Sequence, residues 1–278
     1  EVTEERSNDK AALQAIAWFE ERLKQSVHEL EKSFEQYRIS EALMSLYKLV
    51  WDDFCSWYLE AIKPEYGKPV SREVLNATIA FFERLCVLMH PFMPFISEEI
   101  WQLLRERKEG ETICTQKWPE FEEADAILLN DFDLAMEVLN GVRNVRAKQN
   151  LPKKDMLALY APSVEAMPET CSDVIMKLGN LSSFSTETRP EGLGYTFLAK
   201  VHEYFIPAGD RIDIEAEKEK VQKELDYLKG FLISVDKKLG NERFVNNAPD
   251  AVVNGEKKKK ADTEAKIESL QNRMTELG

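Results

Sequence analysis

The 278-residue chain holds three histidines, four cysteines, eleven glycines and eleven prolines, and each scarcity closes off a class of protein. Cys55, Cys86, Cys114 and Cys171 stand far apart, with no Cys-x-x-Cys and no histidine close in sequence. They are expected as buried thiols of a reducing cytoplasm rather than as a disulfide frame or a zinc site. His28, His90 and His202 are isolated, so no metal-spaced pair exists. No apolar run approaches the ~20 residues of a membrane span, and the opening Glu-Val-Thr-Glu-Glu-Arg is no secretory signal. A Gly-x-x-x-x-Gly-Lys loop and a Gly-x-Ser-x-Gly elbow are both missing. No catalytic residue, no bound metal and no cofactor are therefore expected in this chain. Excess positive charge is lacking too: 37 basic against 50 acidic side chains leave a net charge of −13. That balance argues against indiscriminate nucleic-acid binding and confines any such contact to local patches.

What is present is helical periodicity. Ile16, Phe19, Leu23, Val27, Leu30 and Phe34 recur at three and four and predict a helix running to about Tyr37. Ser40 is the expected cap of a second helix with stripe Leu43, Leu46, Val50, Phe54, Trp57 and Ala61, stopped by Pro64, Gly67 and Pro69. A third opens near Ser71 with Leu75, Ile79, Phe82, Cys86 and Met89 inward, and a shorter fourth follows Pro94 with Ile96, Ile100 and Leu103. Short connections make residues 1–125 an antiparallel helical bundle.

A connecting helix, capped at Asn130 or Asp131, ends before Pro152. From Val138 to Lys154 it carries no acid but holds Arg143, Arg146, Lys148, Lys153 and Lys154, a candidate phosphate contact in which Arg143 and Arg146 share a face. The competing reading is a cationic helix end that complements the dipole. Residues 156–207 then read as a small α+β module, with strands near 157–161, 183–186, 196–201 and 203–206 and a helix near 172–178. Gly192-Leu193-Gly194 reads as a hairpin turn. Connecting helix and module together make a middle region, residues 126–210.

Residues 211–278 carry the clearest pattern. Ile214, Val221, Leu225, Leu228, Leu232, Val235 and Leu239 keep a seven-residue repeat, and after a break at 240–249 the seam resumes with Val253, Ile267, Leu270, Met274 and Leu277. Folded back as an antiparallel coiled-coil hairpin, Leu225 meets Ile267 and Val221 meets Leu270, with residue numbers summing to 492 and 491. Around the bend, residues 229–260 hold eight basic side chains (Lys229, Lys237, Lys238, Arg243, Lys257, Lys258, Lys259 and Lys260) against four acidic ones, whereas the base is acidic. An arm that grips phosphates needs its cations there; a bare scaffold does not. The fold class is thus mainly α: bundle, small α+β module and terminal hairpin.

Two segments carry a resemblance. Trp51-Asp52-Asp53-Phe54-Cys55-Ser56-Trp57-Tyr58-Leu59-Glu60 and Met89-His90-Pro91-Phe92-Met93-Pro94-Phe95-Ile96-Ser97-Glu98-Glu99-Ile100-Trp101 resemble the anticodon-binding bundle of the valyl, leucyl and isoleucyl group of aminoacyl-tRNA synthetases. Val142 to Lys148, Asn150-Leu151-Pro152 and Phe244 to Val253 resemble the bacterial valyl members, the last segment lying in their carboxy-terminal arm. The resemblance implies a tRNA-holding portion of a ligase whose ATP- and magnesium-dependent chemistry lies on other domains, while the register of the hairpin and its short bend predict a monomer and the cysteines a cytoplasmic protein. The implied partner is valine tRNA, with no membrane contact. By position the resemblance implies anticodon-side contacts at Arg22 and Leu59, and an arm that reaches the outer corner of the tRNA; the charge pattern adds connector contacts at Arg143, Arg146 and Lys148 and arm contacts at Lys237, Lys238, Arg243, Lys257, Lys258, Lys259 and Lys260. The alternative is a non-enzymatic helical scaffold whose coil binds protein partners.

Overall fold

The computed structural model describes residues 2–5, 7–208 and 214–240, together with Lys260, Thr263, Ile267 and Gln271. The chain divides into two compact units, residues 1–189 with 196–206 and residues 190–195 with 207–278. It is mainly helical with a small sheet.

In the first unit the central element is α1 (Lys10–Glu35), started by Asp9, whose carboxylate accepts from the Ala12 N–H at 3.1 Å. Its inward stripe is Ala11, Ala12, Ala15, Trp18, Phe19, Leu23, Val27 and Leu30. Trp18 stacks on Phe132 with centroids 3.8 Å apart, and Phe19 sits 5.0–5.3 Å from the rings of Phe54, Tyr58 and Phe81. Each such buried aromatic contributes about 1.5–3 kcal/mol of transfer free energy, so this cluster dominates the core.

The next helical run departs from the expected phase. α2 (Ile39–Tyr47) has Arg38 at its cap position, with no side-chain cap bond, so Ser40 lies inside the helix. It continues as a π-helical stretch, Lys48–Tyr58, and closes as α3 (Leu59–Ile62). The Leu59 N–H donates to the Phe54 carbonyl, an i to i+5 bond characteristic of the wider winding. Buried positions therefore recur at four and five, at Leu49, Asp53 with Phe54, and Tyr58. Leu43 is left exposed and Trp57 half-buried, contrary to a strict 3.6 period.

α4 (Arg72–Met89) begins where expected, its Ser71 hydroxyl accepting from the Val74 N–H at 3.3 Å. β2 (Val70–Ser71) just before it pairs in parallel with β1 (Val2–Thr3). α5 (Pro94–Leu104) turns Ser97 and Trp101 inward and leaves Ile96 and Leu103 exposed, reversing the expected face. The reason is local: Ser97 bonds to His90, and Trp101 takes the Arg107 guanidinium over its ring at 3.6 Å.

α6 (Ala126–Lys148) is capped by Asp125, not by Asn130 or Asp131; its carboxylate accepts from the Ile127 and Leu128 N–H groups at 2.8 and 3.2 Å. With α7 (Ser172–Gly179) it packs on α1. The Gln14 side chain donates to Asp173 and accepts from the Val174 N–H, while Lys177 reaches Asp9 at 2.6 Å and the Ala61 carbonyl at 2.7 Å.

The sheet has strand order β4-β3-β6-β5: β3 (Leu157–Tyr160), β4 (Leu181–Ser185), β5 (Gly194–Ala199) and β6 (His202–Pro207). β3 runs parallel to β4, with α7 as the crossover, and antiparallel to β6. The hairpin joins β5 to β6 at Lys200, whose φ is 50°, and not at Gly192 to Gly194, because β4 and β5 are not neighbours. In the second unit, α8 (Ile214–Leu239) carries Leu225 in a buried cluster with Ile267, joined by Leu193, Leu228 and Leu232. Thr263 is also buried, and Lys260 pairs with Asp236 at 2.8 Å. Among the described residues no helix is long and apolar enough to cross a membrane.

Candidate nucleic-acid interface

The connector cations part company once folded. Arg146 is buried: its guanidinium donates to the Pro152 carbonyl at 3.0 Å, to Gly179 at 2.9 Å and to Asn180 at 3.1 Å. It thereby ties the end of α6 to the end of α7, satisfying carbonyls that a helix terminus leaves unpaired. Arg143, three residues earlier, is exposed and lies over the Trp57 ring at 4.9 Å. The shared face expected for the two therefore does not exist: one serves the core, the other the surface. Lys148 is exposed in the last turn of α6, at the dipole's negative end.

Arg22 is likewise enclosed, with 11 % of its side chain exposed. It pairs with Asp133 of α6, donates to Gln25 at 2.8 Å and lies 5.9 Å from the centre of the Trp18 ring. Asp53 sits close enough to feel it. Burial pushes the Asp53 carboxyl up to about 6, and the charges of Arg22 and Lys48 only partly offset that. Leu59 is half-buried at the start of α3.

Along the run from α2 into the π-helical stretch lies a feature that periodicity alone assigns to no role. Tyr47 and Trp51 stack with centroids 6.3 Å apart and planes 15° from parallel, and both are more than half exposed. Lys48 between them is exposed as well. Ile39 and Met44 add exposed apolar surface toward the start of the same run. A flat aromatic surface beside a cation suits unstacked bases and their phosphates. The available signal was an i, i+4 aromatic pair lying off the buried stripe.

On the arm, Lys237 and Lys238 are exposed in the last turn of α8. Arg243, Lys257, Lys258 and Lys259 lie outside the described residues, while Lys260 has its Asp236 partner. At the opposite extreme of charge, Glu31, Phe34, Glu35 and Trp118 line an open cavity of about 480 Å³. Its two carboxylates make it unsuitable for phosphate. Among the described residues no group of three or more His, Cys, Asp or Glu side chains is placed to hold a metal ion.

Two of the four cysteines and one of the three histidines depart from expectation. Only Cys86 and Cys171 are buried; Cys55 and Cys114 are exposed. His90 is not isolated, because the loop after α5 brings Cys114 to 3.2 Å from its Nε2.

Comparison with known proteins shows the family of the chain. Residues 17–161 match the family model described as the anticodon-binding domain of tRNA ligase. Residues 213–278 match the valyl tRNA synthetase tRNA binding arm. The chain is 46 % identical over 277 residues to the valine–tRNA ligase of Christiangramia forsetii, covering 100 % of this chain and 32 % of that relative. To that of Parabacteroides distasonis it is 45 % identical over 268 residues, covering 96 % of this chain and 30 % of the relative. To that of Thermotoga maritima it is 32 % identical over 264 residues, covering 94 % and 30 %. The chain thus spans about a third of the length of the curated relatives it matches. With more than half its residues in the first match, the chain belongs to the family of the anticodon-binding domain of tRNA ligase, joined here to residues that match a valyl tRNA binding arm.

Proposed function

We propose that this chain is the tRNA-holding part of a valine–tRNA ligase, with the bundle reading the anticodon loop of valine tRNA and the C-terminal region acting as an antiparallel coiled-coil arm. The observation that carries the reading is the presence, on one chain, of an anticodon-binding match and a tRNA-arm match in that order. Two geometric features support it. The bundle offers Tyr47 and Trp51 as an exposed stack beside Lys48, with Leu59 and Arg143 on elements that continue from or lie against that run. On the arm, Leu225 and Ile267 bury together, as a hairpin with residue numbers summing to 492 requires. At 26 residues, α8 spans about 39 Å at ~1.5 Å per residue, a length that lets an arm contact a part of tRNA distant from the anticodon.

The division of labour follows from chemistry. Lysines and arginines against phosphates give affinity without sequence information, whereas base edges and stacked bases give discrimination. Ligation of valine, with its ATP and magnesium, is assigned to the remainder of the whole ligase, and this part works as a monomer in the cytoplasm. The test is a titration of the chain with valine tRNA and with an anticodon-altered variant at several salt concentrations. Affinity should fall with salt as counterions are released, and the cognate tRNA should bind more tightly throughout. Equal affinity for both, or no binding at low salt, defeats the reading.

A further inference from the structure

Among the described residues, the reactive arrangement that stands apart from the tRNA-facing surfaces is the Cys114–His90–Ser97 chain. Its protons can be placed from hydrogen bonding alone. The Ser97 hydroxyl donates to the Met93 carbonyl at 2.8 Å, with the Pro94 carbonyl at 3.2 Å as a second acceptor. A hydroxyl has a single hydrogen, so with that hydrogen on Met93 the serine oxygen accepts at its 2.8 Å contact with His90 Nδ1. Nδ1 therefore carries the ring proton and Nε2 keeps its lone pair. That lone pair faces the Cys114 sulfur at 3.2 Å, so the thiol donates to the imidazole.

The frame around this pair is fixed on each side. His90 closes α4, its N–H donating to the Cys86 carbonyl at 3.0 Å. Ser97 is 1 % exposed, so the group that sets the tautomer is itself locked. Cys114 sits in a short 3-10 turn, Ile113–Thr115, capped by Thr112, whose hydroxyl accepts from the Cys114 N–H. Glu98 holds that turn, accepting from the Thr112 hydroxyl at 2.8 Å and from the Ile113 N–H at 2.9 Å. Hydrogen bonds from Gln102, Thr112 and Ile113 hold the Glu98 carboxyl below its usual range, with His90 adding to the effect. A carboxylate anion thus lies within electrostatic reach of the imidazole. Cys114 itself is exposed, so a small reagent can reach the sulfur.

We propose that Cys114 is a peroxide-oxidisable thiol, activated by His90 as its base and positioned through Ser97. In the step, the Cys114 proton moves to His90 Nε2 as the sulfur attacks one oxygen of hydrogen peroxide. The S–O bond forms, the O–O bond breaks, and the departing hydroxide takes the proton from Nε2 and leaves as water. Sulfur is oxidised by two electrons to the sulfenic acid, peroxide is reduced by two, and the imidazole returns to its starting tautomer. A thiol reductant reverses the product.

Cys55 is the control within the same molecule. It too is exposed, but burial of its surroundings pushes its thiol up and no imidazole among the described residues faces it. The experiment exposes the full chain to hydrogen peroxide and traps sulfenic acid with dimedone, reading each cysteine separately by mass spectrometry. Cys114 should label at least about tenfold faster than Cys55, a conservative margin against the ~10²-fold that a positioned general base contributes. His90→Asn keeps a donor for Ser97 and removes the base, so Cys114 should fall to the Cys55 rate while Cys55 itself is unchanged. Ser97→Ala should give an intermediate loss. Equal labelling of Cys114 and Cys55 in the unsubstituted chain overturns the proposal without recourse to any variant. An unchanged Cys114 rate in a folded His90→Asn chain overturns it as well.

Discussion

Asp53 shows what a single misplaced charge costs. The residue is 5 % exposed, and burial pushes its carboxyl up to about 6 when folded, against 3.8 for an unperturbed group. Because the folded value is raised, the native state holds more protons than the unfolded chain between those two values. Stability therefore falls as pH rises from about 4 to about 6, and it stays lower above. The full effect is about 2–3 kcal/mol at ~1.4 kcal/mol per unit. Asp53→Asn should remove this slope and raise the urea midpoint at pH 7.5, since Arg22 keeps Asp133 as its partner. A wild-type slope retained in the variant would assign the pH dependence to another group. Trp51 tests the proposed stack: Trp51→Ala should weaken valine tRNA binding by about 1–3 kcal/mol for each base that no longer stacks there. The salt dependence should not change, because no phosphate contact is removed. Residue roles were the least legible part of the sequence. Arg143 and Arg146 are alike in composition and neighbourhood, yet one lies over Trp57 and the other is consumed by three carbonyls contributed by residues 152, 179 and 180. Only tertiary structure separates them.

At the scale of elements, some boundaries set by local chemistry were readable: Ser71 before α4, Pro94 at the start of α5, and the four strands of the sheet lie close to where alternation places them. The caps expected at Ser40 and at Asn130 or Asp131 fall instead at Arg38 and Asp125. Faces were less so. The π-helical winding of Lys48–Tyr58 moved the buried stripe off a 3.6 period, and the inward turn of Ser97 on α5 answered to a histidine seven residues away. Gly141 on α6 shows a constraint of the same kind. A Cβ built there would lie 2.1 Å from the Phe197 ring, which is itself stacked on Tyr204 at 5.4 Å. Tyr204 is fixed in turn by its 2.5 Å bond to the Ala166 carbonyl, so the ring has little room to withdraw. Gly141→Ala should therefore destabilise the fold by about 1–3 kcal/mol of overpacking, set against at most ~1 kcal/mol of helix propensity gained. Removing the ring in Gly141→Ala/Phe197→Leu should recover part of that loss. A more stable single variant in thermal unfolding would show that the helix and strand separate more easily than their packing indicates.

For the whole molecule, the acidic total confines phosphate binding to local patches, and the cationic bend of the arm is the one that makes the sharpest prediction. Replacing Lys257, Lys258, Lys259 and Lys260 with alanine should weaken cognate and non-cognate tRNA alike. It should also flatten the plot of log affinity against log salt by up to about 0.7–0.9 for each phosphate that no longer has a lysine to neutralise it. The ion pair of Lys260 with Asp236 makes that residue the least dispensable of the four for the arm itself, so a triple variant sparing it should show the same binding change with less effect on helix content. Unchanged affinity and slope in both variants would move the phosphate grip to Lys237, Lys238 or Arg143.

The packing of α1 also sets an order of events during synthesis. Its cap residue Asp9 meets Lys177, 168 residues later, and Gln14 meets Asp173 and Val174 across a similar separation. At ~5–20 residues per second a ribosome takes roughly 8–34 s to supply those partners. Through that interval the first helix has been made, but the side that receives α7 remains wet and uncovered. The nascent bundle is thus an unfinished surface, open to chaperones until residues near 180 have left the exit tunnel.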